Sequence, residues 1–240
     1  MLIAMISDTH ENWHNLKVPE CDILISAGDY SFRGQPHVIR EYHAWLDKQP
    51  AQHIISVQGN HEVWVEQHKQ EARDMAAEVA PTVLFVDTGI IRIQNTPIWV
   101  SSVTPTFFNW AYMKNRGQEI RDHWNTIPKE TQILITHGPA YGILDTISPM
   151  SKEHLGCEEL AKVIPTLPNL KLHVFGHIHG GSGEETHSGV RYVNASICNE
   201  RYIPVNPVRT FELKESGKDF MEKQFADPKI KAVYERLAKR

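Results

Sequence analysis

Residues 2–10 read Leu-Ile-Ala-Met-Ile-Ser-Asp-Thr-His, an aliphatic run that ends in two polar side chains, Asp8 and His10. Short runs rich in Ile and Val are typical of sheet strands that are buried on both faces. Four more runs end in the same way, in Gly28-Asp29, in Gly59-Asn60-His61-Glu62, in His137-Gly138 and in Gly176-His177-Ile178-His179. Because ligands of α/β sheets bind beyond the carboxyl ends of the strands, we expect these clusters to form one site.

The pattern of apolar runs predicts the fold class. Nine runs are predicted strands: Leu2–Ile6, Ile23–Ile25, Ile54–Val57, Val83–Val86, Ile98–Val100, Ile133–Ile135, Leu172–Phe175, Arg191–Val193 and Val208–Leu213. Four stretches between them are predicted helices: Pro36–Lys48, Trp64–Val79, Gln118–Ile127 and Cys157–Ile164. The alternation of strand and helix indicates an α/β fold, with two sheets packed face to face and helices outside.

Two stretches carry consecutive strands with no helix between them, Val83–Val100 and Arg191–Leu213. In the first of these, turn residues stand at Asp87-Thr88-Gly89 and again at Asn95-Thr96-Pro97. Strands joined by short turns are typical of hairpins. We therefore expect both sheets to be mixed, with antiparallel as well as parallel pairs.

Composition limits the class of protein. The chain has 240 residues, enough to bury a large core, and we interpret residues 1–240 as a single domain. The formal net charge of −4 gives no overall positive field for nucleic acid or for an anionic membrane. We expect no membrane span, because no stretch reaches roughly 20 apolar residues, and no signal peptide, because the first residues lack a basic region and their apolar run is short. Three cysteines without a CxxC pair indicate a reducing compartment, so we expect a cytoplasmic protein.

The C-terminal residues 228–240 combine basic side chains with Ile230, Val233 and Leu237. Apolar residues spaced three and four apart predict an amphipathic helix, here with a basic face. This helix either packs on the domain or serves as a partner-binding tail. A homodimer is a further alternative that the sequence leaves open.

The residues at the five predicted strand ends have the chemistry of a metal site. They are two aspartates, one asparagine and four histidines, with no thiolate among them: Asp8, His10, Asp29, Asn60, His137, His177 and His179. Such nitrogen and oxygen donors suit manganese, iron, zinc or nickel rather than calcium or a structural zinc. Seven ligands are too many for one ion, whereas two ions that share one bridging aspartate need such a set.

A pair of metal ions indicates phosphoryl chemistry. Two ions roughly 3.5–4 Å apart clamp the attacking and leaving oxygens of an in-line displacement at phosphorus. A hydroxide held between the ions is a nucleophile at neutral pH, and the leaving alkoxide then needs a proton. His61 follows the predicted ligand Asn60 and is left over for that task, so it is the candidate proton donor.

The order of these motifs resembles that of the calcineurin-like metallophosphoesterase superfamily, whose pattern is D-x-H, G-D, G-N-H-[DE], H and G-H-x-H. The resemblance implies a four-layer α/β/β/α sandwich of two mixed β-sheets flanked by helices. It also implies a role for each residue of the set. The first metal takes Asp8, His10 and His179, the second takes Asn60, His137 and His177, Asp29 bridges the two, and His61 donates the proton.

A narrower resemblance covers most of the chain. It is to the fetal-brain-type metallophosphoesterase-domain proteins and their bacterial and phage relatives, and it rests on Asn109-Trp110-Ala111-Tyr112, Thr136-His137-Gly138-Pro139, Lys171–His179 and Asn194-Ala195-Ser196. The resemblance implies a metal-dependent phosphodiesterase whose activities include slow cleavage of cyclic nucleotides. We expect two metal ions, manganese first, with iron, zinc, nickel or cobalt as alternatives. Some members carry Gly where this chain has His179, so the resemblance implies an active enzyme here.

Contacts with the substrate are less well marked in the sequence. Arg33 follows the Gly-Asp motif, and Trp110 and Arg116 lie in an aromatic loop, residues 104–116. We interpret these three as candidate substrate-binding residues, because aromatic rings stack on flat groups and guanidinium groups pair with phosphate. The alternative is that the rings only pack the loop onto the domain. Glu62 either orients His61 or caps the next helix.

The predicted substrate is a small phosphodiester, such as a cyclic nucleotide or an aryl phosphodiester. A nuclease or a phosphomonoesterase would use the same site, and a non-catalytic scaffold would keep the same fold. The negative net charge counts against a nuclease. The presence of all seven predicted ligands and of His61 counts against a scaffold.

Overall fold

The computed structural model describes residues 1–148 and 150–214. The strands in these ranges are β1 (Leu2–Ile6), β2 (Cys21–Ser26), β3 (Ala51–Val57), β4 (Val83–Val86), β5 (Thr88–Ile93), β6 (Thr96–Ser101), β7 (Thr104–Pro105), β8 (Met113–Lys114), β9 (Ile133–Thr136), β10 (Leu172–Phe175), β11 (Gly183–His187), β12 (Val190–Asn194) and β13 (Arg209–Glu212). The α-helices are α1 (Pro36–Leu46), α2 (Val63–Gln67), α3 (Lys69–Val79), α4 (Gln118–Trp124) and α5 (Glu158–Val163). Short 3-10 helices cover Ile164–Thr166 and His179–Gly181.

The strands form two large sheets and one small one. The first sheet has the order β13-β1-β2-β3-β4, in which β1 to β4 are parallel and β13 is antiparallel to β1. The second has the order β11-β12-β10-β9-β6-β5, in which the inner strands are parallel and both edge strands are antiparallel. Strands β7 and β8 pair separately. Both large sheets are therefore mixed, as the sequence predicts.

The two large sheets pack face to face and are covered by helices on their outer sides. Alternate residues of each strand point between the sheets, where Ile3 and Ile25 of the first sheet share a buried cluster with Ile135 and Val174 of the second. The outer face of the first sheet packs on α1 and α3, and that of the second packs on α4 and α5. This is the predicted four-layer α/β/β/α sandwich. Burial on both faces explains why most of the strands are continuous apolar runs.

The hairpin prediction for Val83–Val100 is half right. Strands β5 and β6 form an antiparallel hairpin, but β4 belongs to the first sheet, so the chain crosses between the sheets at Asp87. The hairpin prediction for Arg191–Leu213 is wrong, because β12 and β13 lie in different sheets. An apolar run predicts a strand but not the strand with which it pairs, because both sheets bury the same kinds of side chain.

Element boundaries also differ from the prediction in places. The predicted helix Trp64–Val79 is interrupted at His68, whose non-helical backbone (φ −130°, ψ 46°) ends α2 and precedes α3. Helix α4 ends at Trp124, one turn before the predicted end at Ile127. Strand β11 escaped prediction because its sequence, Gly-Glu-Glu-Thr-His, is polar, and an edge strand with exposed side chains needs no apolar face.

The predicted basic helix, residues 228–240, lies outside the described residues. Within the described ranges, no helix combines enough length and apolarity to cross a bilayer. Helices α1 and α3 have 11 residues each, whereas a membrane span needs roughly 20.

Leu24 and Leu84 allow a matched test of the layer between the first sheet and its helices. Leu24 on β2 is fully buried there, whereas Leu84 on β4 of the same sheet is 41% exposed. We expect Leu24→Ala to lower the free energy of unfolding by about 2–5 kcal/mol, because it leaves a cavity. Leu84→Ala should cost less than about 1 kcal/mol. Urea denaturation measures both values, and equal losses would contradict the assigned layers.

Candidate metal centre

The predicted metal ligands lie at one edge of the sandwich. Strands β1, β2 and β3 are parallel neighbours in the first sheet, and β9 and β10 are parallel neighbours in the second. Hydrogen bonds join the strand exits within and between the sheets. The Asp8 N–H donates to the Gly28 carbonyl and the Gly176 N–H to the His137 carbonyl, both at 2.9 Å, and Ser7 forms a β-bridge with Ser196. Side chains from both sheets therefore meet here.

Asp8, His10 and His179 form the first cluster, with donor atoms within 4.8 Å of one another. The Nε2 atoms of the two imidazoles are 3.1 Å apart, and His179 Nε2 lies 3.4 Å from Asp8 Oδ1. The Asp8 carboxylate also accepts the His177 N–H at 2.9 and 3.0 Å and the Ser196 hydroxyl at 2.7 Å. These donors fix the carboxylate while leaving it in contact with His179.

Asp29, His137 and His177 form the second cluster, again with donor atoms within 4.8 Å of one another. His137 Nε2 lies 3.2 Å from Asp29 Oδ2 and 2.9 Å from Asn60 Oδ1, which brings Asn60 into this cluster. Asp29 also groups with His10 and with His61 within the same distance limit. One carboxylate therefore lies between the two sets of ligands.

Two of the imidazoles are oriented by the ring nitrogen that points away from the clusters. Nδ1 of His137 lies 2.9 Å from the Ala27 carbonyl, and Nδ1 of His179 lies 2.9 Å from the Asn199 carbonyl. A carbonyl oxygen only accepts, so each Nδ1 carries a proton and each Nε2 faces its cluster. Metal-binding histidines are commonly held in this way, because the hydrogen bond fixes the tautomer and makes the ligating nitrogen more basic.

The buried carboxylates dominate the electrostatics of the site. Burial by itself would raise the pKa values of Asp8 and Asp29, but the neighbouring His179 and His137 hold both well below their usual range. Burial would likewise lower the pKa values of these two histidines, yet the carboxylates raise both to about 9. The same negative charge that attracts a proton to each imidazole would attract a divalent cation.

His10 and His177 differ from the other two histidines of the clusters. Burial lowers the pKa of His10 to about 4 and that of His177 to about 3, so both are neutral at pH 7. A neutral imidazole keeps a lone pair for a metal ion. Together with two carboxylates and an amide oxygen, these rings form a nitrogen and oxygen donor set that fits divalent metal ions.

The backbone is strained where it carries the ligands. The φ angles of four ligand-bearing residues are positive, a region that residues other than glycine rarely adopt. They are 51° at Asp8, 41° at His10, 53° at Asp29 and 69° at His177. Each such residue costs of order 1–3 kcal/mol, and such residues concentrate at functional sites. The hydrogen bonds of the strand exits hold the backbone in this conformation.

Two glycines leave room for the ligands. A Cβ atom on Gly28 would lie 2.5 Å from His137 Nδ1, and the φ of Gly28 is +105°. A Cβ atom on Gly176 would overlap the Asp8 carboxylate. No side chain fits at either strand exit, so these positions require glycine.

The sequence profile of the calcineurin-like phosphoesterase family matches residues 1–181. The chain belongs to this family. It is 32% identical over 227 residues to metallophosphoesterase domain-containing protein 1 of Homo sapiens, in an alignment that covers 87% of this chain and 69% of the human protein. It is 29% identical over 221 residues to a UPF0046 protein of Caenorhabditis elegans, with 86% and 73% covered.

Solved structures share the fold of this calcineurin-like phosphoesterase. The phosphopantetheinyl hydrolase of Mycobacterium tuberculosis superposes with a TM-score of 0.56 at 17% identity, covering 83% of this chain and 90% of that one. The protein TT1561 of Thermus thermophilus gives 0.54 at 15% identity, covering 80% and 88%. At these identities the likeness shows the fold alone. Membership of the family makes the chain a metallophosphoesterase, a hydrolase whose fold binds divalent metal ions.

Glu62 has a position that neither sequence interpretation anticipated. Its buried carboxylate accepts the Asp29 N–H at 2.9 Å, the Gly59 N–H at 2.7 Å, the Ser31 N–H at 3.1 Å and the Ser31 hydroxyl at 2.8 Å. It makes no side-chain cap for α2. Glu62 therefore holds together the two loops that carry Asp29 and Asn60.

Of the three candidate substrate-binding residues, Trp110 lies beside His61 and Arg33 lies on Trp110. The Trp110 ring stacks on the His61 imidazole, with centroids 4.4 Å apart and an interplanar angle of 29°. The Arg33 guanidinium lies over the Trp110 ring, 4.5 Å from its centroid. A contact of either residue with the substrate stays a prediction.

Arg116 is engaged within the protein. Its guanidinium donates to the carbonyls of Leu155 and Gly156, both at 3.0 Å, and forms an ion pair with Glu158. These contacts tie the aromatic loop to the segment before α5. The geometry favours a structural role for Arg116 over the phosphate contact suggested by the sequence.

Three residues near the clusters were missed by the sequence analysis. Ser196 donates to Asp8, and the ring centroids of Phe32 and Tyr202 lie 5.5 Å and 4.7 Å from that of His10. Ser196 ends the family-like run Asn194-Ala195-Ser196, which was the available signal. Phe32 and Tyr202 lie in loops, and the spacing of apolar residues does not predict the conformation of a loop.

Asp29→Asn tests the shared carboxylate. Loss of the charge between the two clusters should weaken metal binding at both. We expect the metal affinity to fall by at least about 100-fold, since loss of an outer-shell partner alone costs about 10–100-fold. Equilibrium dialysis with metal analysis measures this.

Asp22→Asn is the matched control. Asp22 lies at the opposite end of β2, where it accepts the Leu2 N–H at 2.6 Å, so its substitution should leave metal binding unchanged. Undiminished metal binding by Asp29→Asn would contradict the role of Asp29.

Proposed function

We propose that this metallophosphoesterase is a dinuclear phosphodiesterase that hydrolyses small phosphodiesters, such as cyclic nucleotides or aryl phosphodiesters. The position of Asp29 carries the proposal. Its carboxylate groups with His137 and His177 on one side and with His10 and His61 on the other. A carboxylate shared by two clusters supports a pair of neighbouring ions, the arrangement suited to in-line displacement at phosphorus.

The proposed ligand sets follow the two clusters. When bound, the two ions would supply Lewis-acid activation of the phosphate group and of the attacking water. We expect manganese, with iron, zinc, nickel or cobalt as alternatives, because nitrogen and oxygen donors accept all of them. Asp8, His10 and His179 would hold the first ion, Asn60, His137 and His177 the second, and Asp29 both.

Support for His61 as the proton donor comes from its orientation. Its Nδ1 lies 3.2 Å from the Phe32 carbonyl, and its Nε2 lies 4.0 Å from Asp29 Oδ2, so Nε2 is turned toward the clusters. The stacked Trp110 ring restrains the imidazole. In the proposed reaction, the proton on Nε2 passes to the oxygen of the leaving group as its bond to phosphorus breaks.

Arg33 is the proposed phosphate contact. Its guanidinium lies on the Trp110 ring, and the same ring stacks on His61, so the positive charge and the proton donor contact one shared side chain. A guanidinium stays charged at all relevant pH values and pairs well with phosphate oxygens. We also propose that the protein works in the reducing cytoplasm, because Cys21, Cys157 and Cys198 are buried thiols that form no disulfide.

The deciding experiment compares an aryl phosphodiester with the matching monoester, using protein that is stripped of metal and reloaded with Mn²⁺. Diester turnover that disappears with a chelator is the expected result. Preferential monoester turnover would make the protein a phosphomonoesterase. No turnover of either ester by protein with two bound ions would contradict the proposal and favour a scaffold. Cleavage of single- or double-stranded DNA in a parallel assay would favour a nuclease.

His61→Ala tests the proton donor. The variant should keep its metal ions and its fold but lose about 10²–10⁴ in rate for an alkyl leaving group, which needs the proton. The loss should be much smaller for p-nitrophenolate, which leaves without one. Steady-state kinetics on one diester with an alkyl leaving group and one with p-nitrophenolate measures the difference. His187→Ala is the control, because the His187 side chain is exposed. Equal losses on both leaving groups would show that His61 has another role.

A further inference from the structure

The segment after β12 forms a tight loop around the side chain of Asn199. Asn199 Oδ1 accepts the N–H groups of Arg201 at 3.0 Å and Ile203 at 3.1 Å. The Asn199 N–H donates to the Ile203 carbonyl, and the Tyr202 N–H donates to the Asn199 carbonyl, both at 2.9 Å. Together these bonds hold Tyr202 at a φ of +58°, in the left-handed region. A tyrosine in this conformation is uncommon and costs free energy.

The same loop is tied to the first metal cluster. The Asn199 carbonyl that accepts the Tyr202 N–H also accepts the Nδ1–H of His179. From the other side, the Asn12 amide donates to the His10 carbonyl at 2.8 Å and to the Tyr202 carbonyl at 3.3 Å. The position of Tyr202 is therefore fixed relative to two of the three ligands of that cluster.

This anchoring sets the Tyr202 ring against the ligands. Its centroid lies 4.7 Å from that of His10, 5.7 Å from that of His179 and 5.3 Å from that of Phe32, all at interplanar angles above 70°. The ring is farther from His61, at 6.3 Å. Tyr202 and Phe32 form an aromatic pair beside His10 of the first cluster.

Both rings of this pair are partly open to solvent. Tyr202 is 42% exposed and Phe32 is 38% exposed. A strained backbone kept only for core packing would bury the side chain that it carries, and this one does not. An aromatic ring that is exposed beside a polar site offers a flat apolar face, and another flat group covers that face best.

We propose that Tyr202, together with Phe32, binds a flat ring on the ester group that stays on phosphorus, so that the enzyme prefers diesters carrying an aryl group or a nucleobase there. This inference rests on the proposed phosphodiesterase. In the proposed reaction the leaving group lies at His61, whose ring is 6.3 Å from that of Tyr202, whereas the Tyr202 ring lies closer to His10 and His179, at 4.7 and 5.7 Å. Tyr202 is thus a specificity-determining residue for the retained group.

The kinetic test uses two diesters that release the same p-nitrophenolate, bis(p-nitrophenyl) phosphate and methyl p-nitrophenyl phosphate. Tyr202→Asn removes the ring but keeps the loop, because asparagine tolerates positive φ. We expect it to lower kcat/KM about fivefold for the diaryl ester and less than about twofold for the methyl ester. Equal losses on the two esters, or no loss on the diaryl ester, would overturn the proposal.

Two variants serve as controls. Tyr202→Phe keeps the ring and should retain the wild-type ratio between the two esters. Tyr141→Ala removes a tyrosine of similar exposure, 46%, whose ring lies against His154, 5.1 Å away, and it should change neither rate. Metal content is measured in every variant, so a loss of metal is distinguished from a loss of the ring contact.

A binding measurement separates this proposal from the proposed function. Calorimetry of the Mn²⁺-loaded protein compares phenyl phosphate with inorganic phosphate, and it needs no turnover. The wild type should bind phenyl phosphate about fivefold more tightly, and Tyr202→Asn should abolish the difference. If the wild type hydrolyses neither diester, the phosphodiesterase fails while this preference still tests the aromatic contact. A wild type without the preference, or a variant that keeps it, overturns the role of Tyr202.

Discussion

Two buried carboxylates, Asp8 and Asp29, are the constraint on which this edge of the sandwich depends. A charge removed from water costs several kcal/mol unless hydrogen bonds or opposite charges compensate it. Asp8 is compensated by the His177 N–H, and Asp29 by the His61 N–H and by His137. The backbone passes close to each carboxylate, so that a Cβ atom on Gly59 would overlap Asp29 and one on Gly176 would overlap Asp8.

Around this centre, a second layer of contacts determines how rigid the ligands are. Glu62 joins the loops of Asp29 and Gly59 through their N–H groups, and the Asn199 carbonyl orients His179. The chemistry of the family belongs to the inner set. The loop of Asn199 brings Tyr202 to the first cluster, where we propose that it sets the preference among phosphate esters. The loop of Asn199 thus both orients a predicted ligand, His179, and carries the exposed ring of Tyr202.

Much of the fold could be predicted, because burial on both faces makes most of the strands visible as apolar runs. The connections could not. Nothing in the runs Arg191–Val193 and Val208–Leu213 shows that they enter different sheets, since the two sheets bury the same kinds of residue. Strand β11 could not be predicted from apolar residues, because it lies at the edge of its sheet with exposed side chains and its sequence is polar. The interruption at His68 breaks a helix whose composition is continuous.

The sequence by itself determined the kind of site. Donor residues that directly follow strands lie at the carboxyl edge of a sheet, and their shared chemistry grouped Asp8 and Asp29 of the first sheet with His137 of the second without coordinates. The tertiary structure alone decided what surrounds them. In the tertiary structure, Arg116 binds backbone carbonyls and Glu62 joins two loops. Tyr202 lies against His10, from which it is far apart in the sequence. Such contacts depend on the packing of loops from different strands, and local sequence patterns carry no record of it.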